Sequence, residues 1–309
     1  MNLLYLSHQV PYPPDKGEKI RAYYQLAHLA PRHRVHLACF ASTEEDLKHA
    51  KHLESLCASV DVVPRSRGTA RLHALTALAT GRSLSVAAYD SAALRAKVYD
   101  RFRSVRPDLV VAYSAAMAQY VEGLEGVVRV LDFVDADSEK WRAYGKHQPF
   151  PQSALYALEG RRLARYEGRL ASLFDASIFV SEAEADIVRR LAPERELTVI
   201  CNGVDLNAFR PGSDDGRKPA VVFTGVMNYY PNEDAVAYFA KDVFPAVRAR
   251  VPAAEFWIVG REPSRAVRSL ASLPGVQVTG SVPDVRPYLA RASAAVAPFR
   301  IARGVQNKV

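Results

Sequence analysis

The sequence has little cysteine, little tryptophan and no long apolar run. Cys39, Cys57 and Cys201 are scattered, without the spacing of a zinc site, a redox pair or a disulfide framework. Such sparse cysteine usage leads us to expect a reducing, cytoplasmic setting. No apolar stretch approaches the ~20 residues that span a bilayer. The opening segment, Met1-Asn2-Leu3-Leu4-Tyr5-Leu6-Ser7, carries no basic leader and reads as a first strand. Several glycine signatures are missing as well. There is no Gly-x-Gly-x-x-Gly fingerprint, no Walker phosphate loop and no Gly-x-Ser-x-Gly elbow, which counts against dehydrogenases, nucleoside triphosphatases and hydrolases. Zinc-finger and RNA-binding aromatic signatures are absent and the basic residues are dispersed, so nucleic acid is not an expected partner.

What is present is a chain of 309 residues, 49% hydrophobic and 24% charged, enough for two domains with their own cores. The net charge of +8 favours anionic partners such as nucleotides or phospholipid head groups. A solvated surface with a few extra arginines satisfies the same balance.

Apolar strand-like runs alternate with helical patterns. The runs are Leu3 to Leu6, Val35 to Phe40, Val60 to Val63, Leu109 to Ala112, Val127 to Phe133 and Ala176 to Val180. They continue with Val199 to Ile200, Ala220 to Phe223, Glu255 to Val259, Val276 to Val278 and Ala294 to Ala297. Most are apolar on both faces, as parallel strands covered by helices require. Arg21 to Leu29, Leu155 to Leu173 and Asp234 to Arg250 carry helical periodicity. The alternation predicts an α/β fold of two Rossmann-like domains. The breaker-rich stretch 202–219 separates them, giving domains over 1–201 and 220–309 that face each other across a ligand cleft.

Four segments can carry chemistry. Pro11-Tyr12-Pro13-Pro14-Asp15-Lys16-Gly17-Glu18-Lys19-Ile20-Arg21 lies after the first strand and before the first helix, where Gly17 lets backbone approach a ligand. It also fits an ordinary proline-rich connector. Asp135 and Asp137 form an Asp-x-Asp pair after an apolar strand, suited to a divalent ion on a diphosphate; aspartates at such places also cap the next helix. Gly225 ends a strand before Asn228 and Asn232, whose amides can donate to ligand oxygens or shape a turn. Gly260 and Arg261 close a further strand. With Gly304 these make three glycine turns, expected along one sheet edge. After Gly304, Lys308 stands at the expected start of a helix, and strand, glycine turn and helix N-terminus together make an anion site. The sequence stops there, so we expect a second domain that is incomplete. Arg161, Arg162, Arg165 and Arg169 lie at helical spacing and can touch lipid head groups. Glu159 and Glu167 sit among them in sequence, which favours a solvated, mixed-charge helix face.

The chain resembles a family-4 retaining glycosyltransferase of the GT-B fold, with its greatest likeness to the sugar transferases of bacterial exosortase (PEP-CTERM) exopolysaccharide loci. The likeness rests on Ser7-His8-Gln9-Val10-Pro11-Tyr12-Pro13-Pro14 with Gly17, and on Asp132-Phe133-Val134-Asp135-Ala136-Asp137-Ser138 with Lys140 and Trp141. Asn202-Gly203-Val204-Asp205 and Gly304-Val305-Gln306-Asn307-Lys308 complete it. The resemblance implies that Gly17 sits against the diphosphate and acceptor and that Gly225 opens a phosphate-facing turn. It places Arg261 and Val282 where family members hold the nucleotide base. Gly304 and Val305 offer backbone N–H groups to the donor, and Lys308 binds the diphosphate. Asn228, Gly260 and Arg303 join this donor side, while Tyr113, Asp135 and Asp137 are acceptor-side candidates.

Two glutamates flank the terminal loop in many family members; Arg303 holds the first of those positions here, and the second falls beyond Val309. Many relatives also carry an arginine and a lysine near Asn228 and Asn232, and a histidine where this chain has Tyr113 and Ser114. The resemblance implies a nucleotide-sugar donor as substrate, a lipid-linked or saccharide acceptor, no resident cofactor and no metal, in the cytoplasm or against the inner membrane face. A metal-dependent transferase using Asp135 and Asp137, a non-catalytic sugar-nucleotide-binding remnant and a nucleotide-sugar epimerase are the alternative readings.

Overall fold

A computed structural model describes residues 1–15, 17–146, 148–210 and 216–300. The chain divides into two compact units, Met1–Asn202 and Gly203–Val309.

The first unit is a seven-stranded parallel sheet in the order β3-β2-β1-β4-β5-β6-β7. Its strands are β1 (Asn2–Ser7), β2 (Arg34–Ala41), β3 (Ser59–Pro64), β4 (Leu109–Tyr113), β5 (Val128–Val134), β6 (Ala176–Phe179) and β7 (Leu197–Val199). The helices between them are α1 (Gly17–Leu29), α2 (Glu44–Leu53), α3 (Arg67–Thr80), α4 (Leu84–Ala87) and α5 (Ala92–Val105). There follow α6 (Ala115–Ala118), α7 (Asp137–Gly145), α8 (Gln152–Leu173) and α9 (Glu182–Arg189). Alternation along each strand splits the core in two. Leu4, Leu6, Ala38, Phe40, Val110 and Ala112 face one layer of helices. Leu3, Tyr5, Leu37, Cys39, Val111 and Tyr113 face the other. Both faces are buried, which is why the runs read as apolar throughout. Cys39 and Cys57 are buried and Cys201 is exposed.

The second unit is a four-stranded parallel sheet, β10-β9-β8-β11, built from β8 (Lys218–Thr224), β9 (Glu255–Val259), β10 (Val276–Gly280) and β11 (Ala292–Ala295). Phe223, Phe256 and Ile258 pack on one face, and Ala220, Val222, Trp257 and Val259 on the other. Its helices are α10 (Tyr230–Tyr238), α11 (Phe244–Arg250), α12 (Arg265–Ser269) and α13 (Arg286–Arg291).

Three elements differ from the sequence reading. The expected helix over Asp234 to Arg250 is interrupted by a π-helical turn at Phe239–Val243. Pro245 opens the next helix there, having no N–H with which to continue the earlier one. β7 lies earlier than Val199 to Ile200, and β11 begins at Ala292 where Ala294 was expected.

Candidate active site

In the first unit the carboxyl ends of β1, β4 and β5 place their loops side by side. Glu18, in the first turn of α1, gathers the loop after β1. His8 Nε2 lies 3.0 Å from Glu18 Oε2, and the Gln9 amide donates to the same oxygen at 2.9 Å. The Tyr113 hydroxyl donates to the Glu18 carbonyl at 2.8 Å, and the Tyr113 ring stacks on His8 with centroids 5.8 Å apart. Tyr113 is fully buried, and burial together with nearby Asp132 pushes its phenol far above the ordinary value. The hydroxyl therefore stays protonated and fixes the loop that begins α1, of which Gly17 is the first residue.

The backbone is strained where this loop meets the sheet. Ser114, just past β4, has φ 77°, and Val134, the last residue of β5, has φ 68°. A β-branched residue rarely adopts that conformation, and such outliers concentrate at functional sites. Beyond Val134 the chain enters a nest of carboxylates. Glu184 accepts from the Ala136 N–H at 2.8 Å, and Glu167 accepts from the Ser138 N–H at 3.0 Å. Asp137 pairs with Lys140 at 3.6 Å. Neither aspartate side chain caps α7; Ala136 occupies the cap position, and the buried glutamates take up the helix amides. Asp135 is left with a buried Oδ1 that has no hydrogen-bond partner. Burial, then Glu184 and Asp137, raise its carboxyl to about 7. Burial raises Glu167 to about 8 against the opposing hydrogen bonds of Ser138. Among the described residues no group of three or more His, Cys, Asp or Glu stands where it could hold a metal ion.

Beneath the loops lies an ion pair that sequence reasoning did not anticipate. Arg21 Nε donates to Asp132 at 2.8 Å, with both side chains buried. Gln25 donates to the same carboxylate, and Asp132 also accepts from the Val134 N–H. The other end of the guanidinium donates to the Ile200 carbonyl at 2.8 Å and the Asn202 side chain at 3.0 Å. Arg21 thus joins α1, β5 and the exit of the first unit.

In the second unit the carboxyl ends of three adjacent strands each carry a glycine: Gly225 after β8, Gly260 after β9 and Gly280 closing β10. The Gly225 N–H donates to the Val259 carbonyl at 3.1 Å, and the Gly260 N–H to the Gly280 carbonyl at 3.2 Å. Gly260 has φ +153°, and a Cβ there would lie 1.7 Å from the Gly225 carbonyl oxygen. At Gly260 the rim must be bare backbone. The next turn is tied across: the Met227 N–H donates to the Arg261 carbonyl at 2.9 Å, and the Asn228 amide donates to the Glu262 carboxylate. Gly225, Asn228, Gly260 and Arg261 therefore come together. Asn232, expected as a possible ligand donor, is buried with its amide on the Val226 carbonyl, where it shapes the turn. Val282 packs half-buried beside Trp257 and Val259. Arg303, Gly304, Val305 and Lys308 lie outside the described residues.

Sequence reasoning missed Gly280; His8, Glu18 and Arg21 stand in the segments it singled out, but it gave none of them a role. Gly280 follows the Val276 to Val278 run, so the strand–glycine rule that found Gly225 and Gly260 also applies to it. No local signal pairs Arg21 with Asp132, which is 111 residues away.

Residues 17–208 match the family model "Glycosyltransferase Family 4", and residues 218–309 match "Glycosyl transferases group 1". No curated protein sequence matches the chain significantly. Among solved structures, a sucrose-phosphate synthase from Thermosynechococcus elongatus superposes with a TM-score of 0.65 at 16% identity, over 99% of this chain and 77% of that one. TarM superposes with a TM-score of 0.60 at 8% identity, over 95% and 79%. A structure described as trehalose-6-phosphate from E. coli bound with UDP-2-fluoro glucose gives 0.58 at 11% identity, over 99% and 80%. At these identities the likeness is one of fold.

Proposed function

The chain belongs to glycosyltransferase family 4, and from that premise we propose that it moves a sugar from a nucleotide-sugar donor to a lipid-linked or saccharide acceptor, with retention of configuration and without a metal. The observation that carries this reading is the bare rim of Gly225, Gly260 and Gly280 at adjacent strand ends. A diphosphate needs close backbone approach, which glycines at these strand ends permit.

In the proposed reaction the bond from the anomeric carbon to the diphosphate oxygen breaks. The acceptor hydroxyl oxygen forms the new bond on the same face. Its proton passes to the leaving diphosphate, whose charge is held by backbone N–H groups and, in our reading, by Lys308. Gly304 and Val305 belong to that donor side, with Arg303 beside them, while Arg261 and Val282 hold the base. On the acceptor side stand Asp135 and Asp137, with Asp137 contributing negative charge beside Asp135. Tyr113 acts by holding His8 and the start of α1, including Gly17. We place the reaction in exopolysaccharide synthesis of the exosortase-associated kind, at the cytoplasmic face of the inner membrane.

The carboxylates around Asp135 favour a second reading, in which Asp135 and Asp137 hold a divalent ion against the diphosphate. Transfer assays with a panel of nucleotide sugars, run with and without EDTA, decide between them. Turnover undiminished by the chelator supports the first reading. Loss of turnover restored by Mn²⁺ selects the second. Donor binding without turnover on any acceptor would leave a sugar-nucleotide-binding protein.

A further inference from the structure

α3 is packed inside out. Its inward face is made of Ala70 and Ala77, which are buried, with His73 and Ala74 half-buried between them. Its large apolar residues face outward: Leu72 is 60% exposed, Leu75 63% and Leu78 40%. A helix serving only its own core would carry the leucines inside and the small residues outside. Single exposed leucines are ordinary, but three on one helix face, opposite a row of alanines, form an apolar ridge.

The ridge has a basic surround. Between Asp61 and Asp90 the sequence contains no acidic residue and four arginines, Arg65, Arg67, Arg71 and Arg82. The C-terminal end of α3 is held by Arg162 of α8, whose guanidinium donates to the Ala77, Leu78 and Arg82 carbonyls at 3.0–3.1 Å. At that end opens a hollow of about 470 Å³ lined by Arg82, Arg95, Arg162, Arg165 and Arg169 together with Glu122. Asp90 neutralises part of Arg82 and Arg95, and Glu122 part of Arg169. Arg161 and Arg165 have no carboxylate in ion-pairing range among the described residues. The expected mixed-charge face of α8 does not form. Glu159 and Glu167 are turned inward and buried, Glu159 on the Leu84 and Ser85 N–H groups and Glu167 on Ser138. Arg161, Arg165 and Arg169 are thereby left on an outer face without those acids.

We propose that α3 and the arginine hollow at its C-terminal end form a docking surface for an anionic lipid bilayer. Leu72, Leu75 and Leu78 enter the acyl boundary, and Arg165 with its neighbours takes lipid phosphates. An apolar helix ridge flanked by arginines that outnumber their acids, with Arg161 and Arg165 lacking any among the described residues, is the chemistry of an interfacial helix. The surface deepens the membrane-facing acceptor reading above and rests on it for its purpose.

The test is sedimentation of the whole chain with vesicles of mixed phosphatidylcholine and phosphatidylglycerol, and with phosphatidylcholine alone. Binding to the acidic vesicles, weakened by salt, is expected. Leu72→Ser, Leu75→Ser and Leu78→Ser together lower the partition coefficient by about 1,000-fold, since each leucine contributes roughly tenfold. Arg165→Gln lowers it about fivefold. All four side chains are at least partly exposed, so the variants keep the fold, which circular dichroism checks. In parallel, Leu75→Trp should show quenching by brominated acyl chains. Acidic-vesicle binding unaffected by the leucine changes, or a ridge buried instead in a concentration-dependent dimer, overturns the proposal. Absence of vesicle binding in a chain that glycosylates a soluble acceptor overturns the docking surface and leaves the transferase reading intact. Vesicle binding through α3 by a chain that turns over no donor sustains the docking surface and counts against the transferase reading.

Discussion

Gly260 and Gly225 meet backbone to backbone, with room for no atom between the Gly260 α-carbon and the Gly225 carbonyl. A methyl added at Gly260 would lie 1.7 Å from that oxygen, and its φ of +153° strains any other residue. Gly260→Ala is expected to destabilise the second unit by about 2–4 kcal/mol, from strain and overpacking together. Donor binding should fall in the same variant, because the rim must spread to admit the methyl. Chemical denaturation and calorimetric titration with a nucleoside diphosphate measure the two effects.

Lys308→Ala should weaken donor binding by about 1.5–3 kcal/mol, the scale of one charge-assisted hydrogen bond, with no change in folding stability. Unchanged donor affinity would remove Lys308 from the proposed diphosphate site.

The nest around Asp135 sets a pH dependence opposite to that of a salt-bridged acid. Its carboxyl rises from an ordinary 3.8 to about 7 in the folded chain. Glu167 rises from 4.5 to about 8. Across that window the unfolded chain releases protons that the folded chain still holds. Rising pH therefore favours unfolding, and the stability these groups confer at low pH is lost by about pH 8. Asp135→Asn with Glu167→Gln should flatten the profile and raise stability at about pH 8 by about 1–3 kcal/mol relative to the parent. Urea denaturation midpoints at about pH 5 and about pH 8 provide the check; an equal slope in parent and variant would refute the assignment.

Arg21→Met leaves Asp132 charged and buried with its main partner gone. A loss of about 3–5 kcal/mol is expected, largely recovered when Asp132→Leu is added. The double variant should still release the Ile200 and Asn202 contacts, which amide exchange near residue 200 would report.

The strands were legible because parallel strands buried on both faces read as unbroken apolar runs, as in Leu3 to Leu6 or Phe256 to Val259. The strand–glycine rule likewise reached Gly225 and Gly260. What escaped depends on which way a side chain turns. Glu159 and Glu167 look like ordinary members of a charged helix face, yet each is buried against the amino end of a neighbouring helix. Asn232 sits in a plausible ligand turn and spends its amide on Val226. α3 offers alternating alanines and leucines, and only packing reveals that the alanines were chosen for the inside. Tyr113 stands at a strand end suited to a substrate contact, while its hydroxyl is committed to Glu18 across the fold.

The three thiols differ in a way that makes the molecule convenient to observe. Burial pushes Cys57 up to about 12 and Cys39 higher still, and neither presents sulfur to solvent. Cys201 alone is exposed, between the two residues that Arg21 grips. A maleimide dye added to the unaltered protein at neutral pH should therefore mark one position, one bond from the tether, and its anisotropy would record whether that grip is made or released.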